Sequence, residues 1–216
     1  ERELPIRLKN ALYEALYSLI MYPKSGDQTL EIINSDNAQL QILKTFLLEG
    51  ILPWNYHESY GSASHIINSQ LTHNRLEIIQ LIQKIGVQLD VRKRIVWQFN
   101  EAIIKKVITG LEPNNHQQII SFSEEFVKIQ EKENVLKTST QSFKKNLWLW
   151  ILNYLFVDRG TIFNKIAFVR STIVQIANHF NISYEILVEL IETAIQRHKG
   201  YSSINNDFIV ILKLLS

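Results

Sequence analysis

Histidines, carboxylates and arginines are the side chains here with chemistry to offer, and their spacing gives them little to do together. His57, His65, His73, His116, His179 and His198 are scattered, and none forms the metal-ligating pair at helical spacing that a zinc or di-iron site needs. With no cysteine there is no thiolate nucleophile, thiolate metal site or disulfide. The sequence holds no glycine-rich phosphate loop, no His-Glu-x-x-His, no Gly-x-Ser-x-Gly and no paired Asp-x-Asp. An active site would have to be assembled from distant residues such as Arg94, Asp158, Arg159 and His179. The expectation is therefore a non-catalytic protein with no cofactor and no metal.

Polar and aromatic residues do concentrate in three places. Arg92, Lys93 and Arg94 open a helical pattern, where positive charge opposes the helix dipole by about 0.3–1 kcal/mol. Either a nearby carboxylate or acidic partner rewards that placement, or the cluster is a solvated turn with Arg94 lying over Trp97, two residues before Phe99. Lys144 and Lys145 read as another solvated edge. In "FLLEGILPW", residues 46–54, Phe46 and Leu47 continue an apolar face begun by Leu40 and Leu43. Gly50 stops the helix, Ile51 is expected to fold back on the last turn, and Pro53 holds Leu52 extended. Trp54 is then expected to be a buried packing anchor, with an exposed partner contact as the alternative. In "YLFVDRGTIFNKIAF", residues 154–168, Gly160 ends a helix, Asp158 and Arg159 pair or cap, Phe163 staples and Asn164 caps the next helix. That corner reads as serving the fold first and a partner second.

The elements that must carry these residues are helices. Val91, Ile95, Phe99, Ile103 and Val107 recur at steps of four, as do Ile166, Ile173, Ile176 and Phe180 at helical steps with Val169. Gly50, Gly86, Gly110, Gly160 and Gly200 each follow such a run and read as left-handed caps. Starts are marked by Ser35-Asp36, Asp90, Pro113-Asn114, Ser139-Thr140 and Ser183. The pattern predicts helices over 6–21, 36–49, 62–70, 74–85, 91–109, 115–135, 140–158, 164–180, 184–198 and 205–215, with almost no β-structure. The fold class is all-α: a compact array of about 8–10 helices, with an irregular α-solenoid as a variant. One helical domain over 1–216 is expected, with a sub-division near the polar stretch 124–146.

Composition narrows the partners. Lys plus Arg at 23 against Asp plus Glu at 21 leaves a net charge of +2, too weak a field to track nucleic acid or an anionic membrane. The longest apolar run, "LWLWILNYLFV" at 147–157, contains Asn153 and falls well short of the roughly 20 residues of a membrane span, so it predicts a buried helix. The chain opens on Glu1 and its only methionine is Met21, so a fragment of a longer chain is expected.

"FLLEGILPW", then "VRKRIVWQFNEAIIKKVITGLEP", then "WLWILNYLFVDRGTIFNKIAFV…IANHFNISYEIL", in that order, resemble the conserved region of tape measure proteins of contractile injection systems, the phage-tail-like particles of bacteria. The resemblance spans roughly residues 40 to 190. It implies a non-catalytic assembly role: helping to set the length of the inner tube and docking to baseplate hub, tube or tube-initiator subunits. It also implies assembly in the cytoplasm and incorporation into the particle, with Phe46, Gly50, Leu52, Pro53, Trp54, Arg94, Trp97, Phe99, Asp158, Arg159, Gly160, Phe163 and Asn164 as structural or interaction residues. A helical adaptor unrelated to such particles is the alternative. A fully helical rod of this length would span about 320 Å, whereas a compact chain has a radius of gyration near 17 Å, so the expectation is a docking or initiation module rather than a ruler.

Overall fold

A computed structural model describes residues 9, 12–14, 35–54, 56–197 and 206–215, with main chain alone at 35–36 and 206–209. Two compact units divide the chain, Glu1–Ala38 and Gln39–Ser216. In the first, residues 9, 12–14 and 35–38 are helical; the rest of the helix predicted over 6–21 lies outside the described residues, as do Asn55, His198 and Gly200. The described residues contain helices and no strand, so the fold is all-α.

In chain order the helices are α1 (Ser35–Glu49), a 3-10 turn (Glu58–Tyr60), α2 (Ala63–His73), α3 (Arg75–Ile85), α4 (Leu89–Gln98), α5 (Glu101–Leu111), α6 (His116–Glu133), α7 (Thr140–Asn153) continuing into a π-turn (Tyr154–Asp158), α8 (Lys165–Phe180), α9 (Tyr184–Arg197) and α10 (Asn206–Leu215). α7 packs against α4, α6 and α8. It can do so because Leu147 to Leu152 are all buried: a helix apolar on every side has to be enclosed by others. An aromatic seam crosses the same junction, with Phe143 edge-on to Phe126 at 5.3 Å, Phe122 to Phe168 at 5.1 Å and Tyr154 to Phe168 at 5.3 Å. Each such pair is worth about 0.5–1.5 kcal/mol beyond its burial.

The helix predicted over 91–109 is two helices. Phe99 turns extended and the Asn100 side chain accepts the Ile103 amide at 3.0 Å, so a local cap breaks a chain whose apolar period runs on unbroken. Ser139, Asn164 and Ser183 also each accept the amide three residues on, as starts should. α4 by contrast begins at Leu89 and α6 at His116, without a side-chain cap from Asp90 or Asn114.

Gly50 and Gly160 have φ of +81° and +65°, the left-handed caps expected. Gly86 and Gly110 are right-handed and are small for a different reason: a Cβ would stand 2.4 Å from the Phe156 ring in one case and 2.2 Å from Ile79 in the other. The left-handed caps of α6 and α8 are Asn134 and Asn181 instead. The polar stretch 124–146 is folded in closely. Gln130 donates to the Leu136 carbonyl at 2.7 Å and accepts the Leu136 amide at 2.9 Å, clamping the α6–α7 connection.

Candidate interaction surface

Five cations each bond carbonyls at the C-terminal end of a helix other than their own. The last carbonyls of a helix lack intrahelical donors and carry its negative pole, so a cation there satisfies both needs. Arg94 Nη1 donates to the Leu47 and Leu48 carbonyls at 2.6 Å each, closing α1. Arg92 Nη1 donates to Gly86 at the end of α3 at 2.7 Å. Lys145 Nζ reaches Val96 at 2.5 Å and Phe99 at 3.4 Å, closing α4. Arg75 and Arg159 reach Thr109 and Leu111 at the end of α5.

The basic cluster is therefore rewarded by helix ends rather than by a carboxylate at its heart, and the solvated-turn reading is overturned: Arg92 is 6% exposed. Residues two apart on a helix point to nearly opposite sides, so Arg92 and Arg94 let α4 grip a different neighbour on each side. Lys145 is likewise a cap and not a solvated edge, while Lys144 pairs with Glu101 at 2.5 Å. Burial lowers the Lys145 ammonium from its ordinary value, with Glu101 opposing. Burial also opposes the charge on Glu101, yet its hydrogen bonds to Lys144 and Lys105 hold the carboxyl below the usual range.

On the far side of α4, Arg92 begins a directional chain. Its Nε donates to Asn153 Oδ1 at 2.6 Å; Asn153 Nδ2 donates to Gln175 Oε1 at 2.9 Å; Gln175 Nε2 donates to Ser171 Oγ at 3.2 Å; Ser171 Oγ donates to Asp158 Oδ2 at 2.8 Å. A cation stands at one end and a carboxylate at the other. Burial lowers Arg92 from its ordinary value and the field of Asp158 pulls it back up. Asp158 and Arg159 thus take separate partners: Arg159 pairs with Glu112 of the α5 end, and Asp158 takes Ser171. Tyr154, raised chiefly by burial, donates its hydroxyl to the Asn164 carbonyl at 3.0 Å, and Phe163 packs on Tyr154 and Phe168.

The three sequence stretches consequently meet. Phe46 and Phe99 stand edge to face at 6.0 Å beside the Arg94 contact. What they leave outside is apolar. Trp54 is 97% exposed, which overturns its expected burial, and Ile51 is exposed too rather than folded back. The reason is local: Pro53 accepts the Tyr56 amide at 2.9 Å and Tyr56 donates to Gly61 at 2.7 Å, so the loop is pinned beyond Trp54 by Tyr56, which packs on the core in its place. Trp97, one turn beyond Arg94, is 50% exposed, and Ile162 at the α7–α8 corner is 81% exposed. His179 lies at the surface with its ring against Trp150 and Phe180. Gln175, Ser171 and Glu112 escaped the sequence reading, which noted Asn153 only as the polar break in an apolar run and Lys145 only as a solvated edge.

Among the described residues no three His, Asp or Glu side chains gather in a way that would hold a metal, and no helix is long and apolar enough to cross a membrane. The geometry defines an all-α protein in which charged side chains lock helix ends and an apolar loop is exposed. The sequence model of the contractile injection system tape measure protein family matches residues 1–208, and the chain belongs to that family. No curated protein and no solved structure matches it.

Proposed function

We propose that the unit Gln39–Ser216 is a docking or initiation module of the tape measure, binding baseplate hub, tube or tube-initiator subunits in the cytoplasm while the tube assembles, and so helping to set tube length without catalysing a reaction. The observation that carries this reading is Trp54: a nearly fully exposed indole on a proline-stiffened loop held at both ends. Tryptophan and arginine dominate the energetics of protein interfaces, and an anchor held in place before binding loses little entropy on association. Leu52, Trp54 and Trp97 are the contacts assigned to the partner; Phe46, Gly50, Pro53, Phe99, Asp158, Arg159, Gly160, Phe163 and Asn164 hold the frame.

The test is association of the purified chain with purified hub, tube and initiator subunits. Trp54→Ala is expected to weaken binding to one of them by more than tenfold, as loss of an interface anchor does, while leaving the fold intact. Wild-type binding by that variant, or no binding of the native chain to any of the three at micromolar concentration, removes the reading.

A further inference from the structure

We infer that Arg94 is the positioning residue of the docking loop: its guanidinium closes α1 and fixes the direction in which Ile51 to Trp54 leave the helix. The inference rests on the docking role proposed for that loop, and it concerns a residue that acts through the loop.

Three observations carry it. A single nitrogen of Arg94 bridges two successive carbonyls, Leu47 and Leu48, at 2.6 Å each, which fixes the last turn of α1 against α4. The body of the guanidinium then lies over Gly50, so close that a Cβ at that position would stand 2.9 Å from Arg94 Nε. Gly50 is also the residue whose φ of +81° turns the chain out of the helix, and its amide closes the turn on the Phe46 carbonyl at 2.8 Å. The reversal that aims Trp54 is therefore enclosed between the helix end and one planar cation. Arg94 itself is half-buried, with Nη1 donating to both carbonyls and Nε and Nη2 over Gly50.

Arginine and lysine should differ here. A lysine ammonium can supply charge and a donor to the same carbonyls, and so retain most of the cap, but it has no planar group to cover Gly50. Arg94→Lys is accordingly expected to keep the melting temperature while loosening the loop; Arg94→Ala is expected to lose both.

The experiment uses the full chain and two readouts. Amide hydrogen exchange is followed at Gly50 and Tyr56, with Leu147 to Leu152 of α7 as the internal reference; association is measured with the hub, tube or initiator subunit that the native chain binds. Arg94→Lys is expected to speed exchange at Gly50 and weaken association, each by about tenfold, with α7 unchanged, because the loop must then be ordered during binding. Native exchange at Gly50 in both variants overturns the inference whatever the binding result. Faster exchange with native association overturns the positioning role. If Trp54→Ala also binds as the native chain does, the docking reading falls with it, whereas loss of binding in Trp54→Ala alone leaves that reading standing and sinks only the role of Arg94.

Discussion

A tryptophan left in water and a glycine enclosed by a guanidinium stand four residues apart, and they should respond to substitution in opposite ways. Trp54 packs on nothing that its removal would expose, so Trp54→Ala is expected to change stability by less than about 0.5 kcal/mol and leave the thermal melt where it was. Gly50→Ala meets two obstacles: a left-handed backbone, which costs an L-residue about 1–2 kcal/mol, and the collision with Arg94. The melt of that variant is expected to fall by at least 2–4 °C, about what 1 kcal/mol costs a chain of this size. Both substitutions lie in one short apolar stretch that reads alike from end to end. Periodicity predicted where α1 would stop, but whether Trp54 turned in or out depended on Tyr56 and Gly61, whose pairing no pattern of apolar residues encodes.

At the scale of elements, apolar spacing and cap residues were enough to locate almost every helix, and they failed where two local rules competed. Across Phe99 the period of four continues, yet the Asn100 cap and the Lys145 contact with the Val96 and Phe99 carbonyls end one helix and start another. Helix-end capping by a cation from a distant helix is a tertiary fact; the sequence offers the lysine but not its target. The start of α5 also carries a pH-sensitive junction, in which Glu101 bonds Lys144 of α7 and Lys105 one turn along. Its carboxyl is held below its ordinary value, so the folded state binds its proton less readily than the unfolded chain does. That contribution is complete above the unfolded value near 4.5 and disappears as the pH falls through the lower folded value. Glu101→Gln is expected to flatten the acid limb of a plot of denaturation midpoint against pH, and to leave the difference largest at neutral pH.

For the second unit taken whole, the question is what makes its helices choose one arrangement, since an apolar seam alone tolerates slippage between neighbours. The chain from Arg92 through Asn153, Gln175 and Ser171 to Asp158 supplies an answer, because Arg92 only donates, Asp158 only accepts, and each member between them accepts on one side and donates on the other. It joins α4, α7, α8 and the π-turn; a one-residue shift of α7 or α8 would break at least two of its bonds, and a shift of α4 against α7 would take the buried Arg92 off Asn153. Asn153→Ala should therefore cost about 2–3 kcal/mol, as loss of a hydrogen bond to a charged group does. The stronger expectation is coupling. The Asn153 and Asp158 side chains are linked only through Gln175 and Ser171, and if those two transmit orientation between them, the costs of Asn153→Ala and Asp158→Asn will fail to add by more than about 0.5 kcal/mol in a denaturant double-mutant cycle. Additive costs would mean that the five side chains are separate hydrogen bonds in sequence, and that the register of α4 on α7 is held by the apolar contacts and the helix-end cations alone.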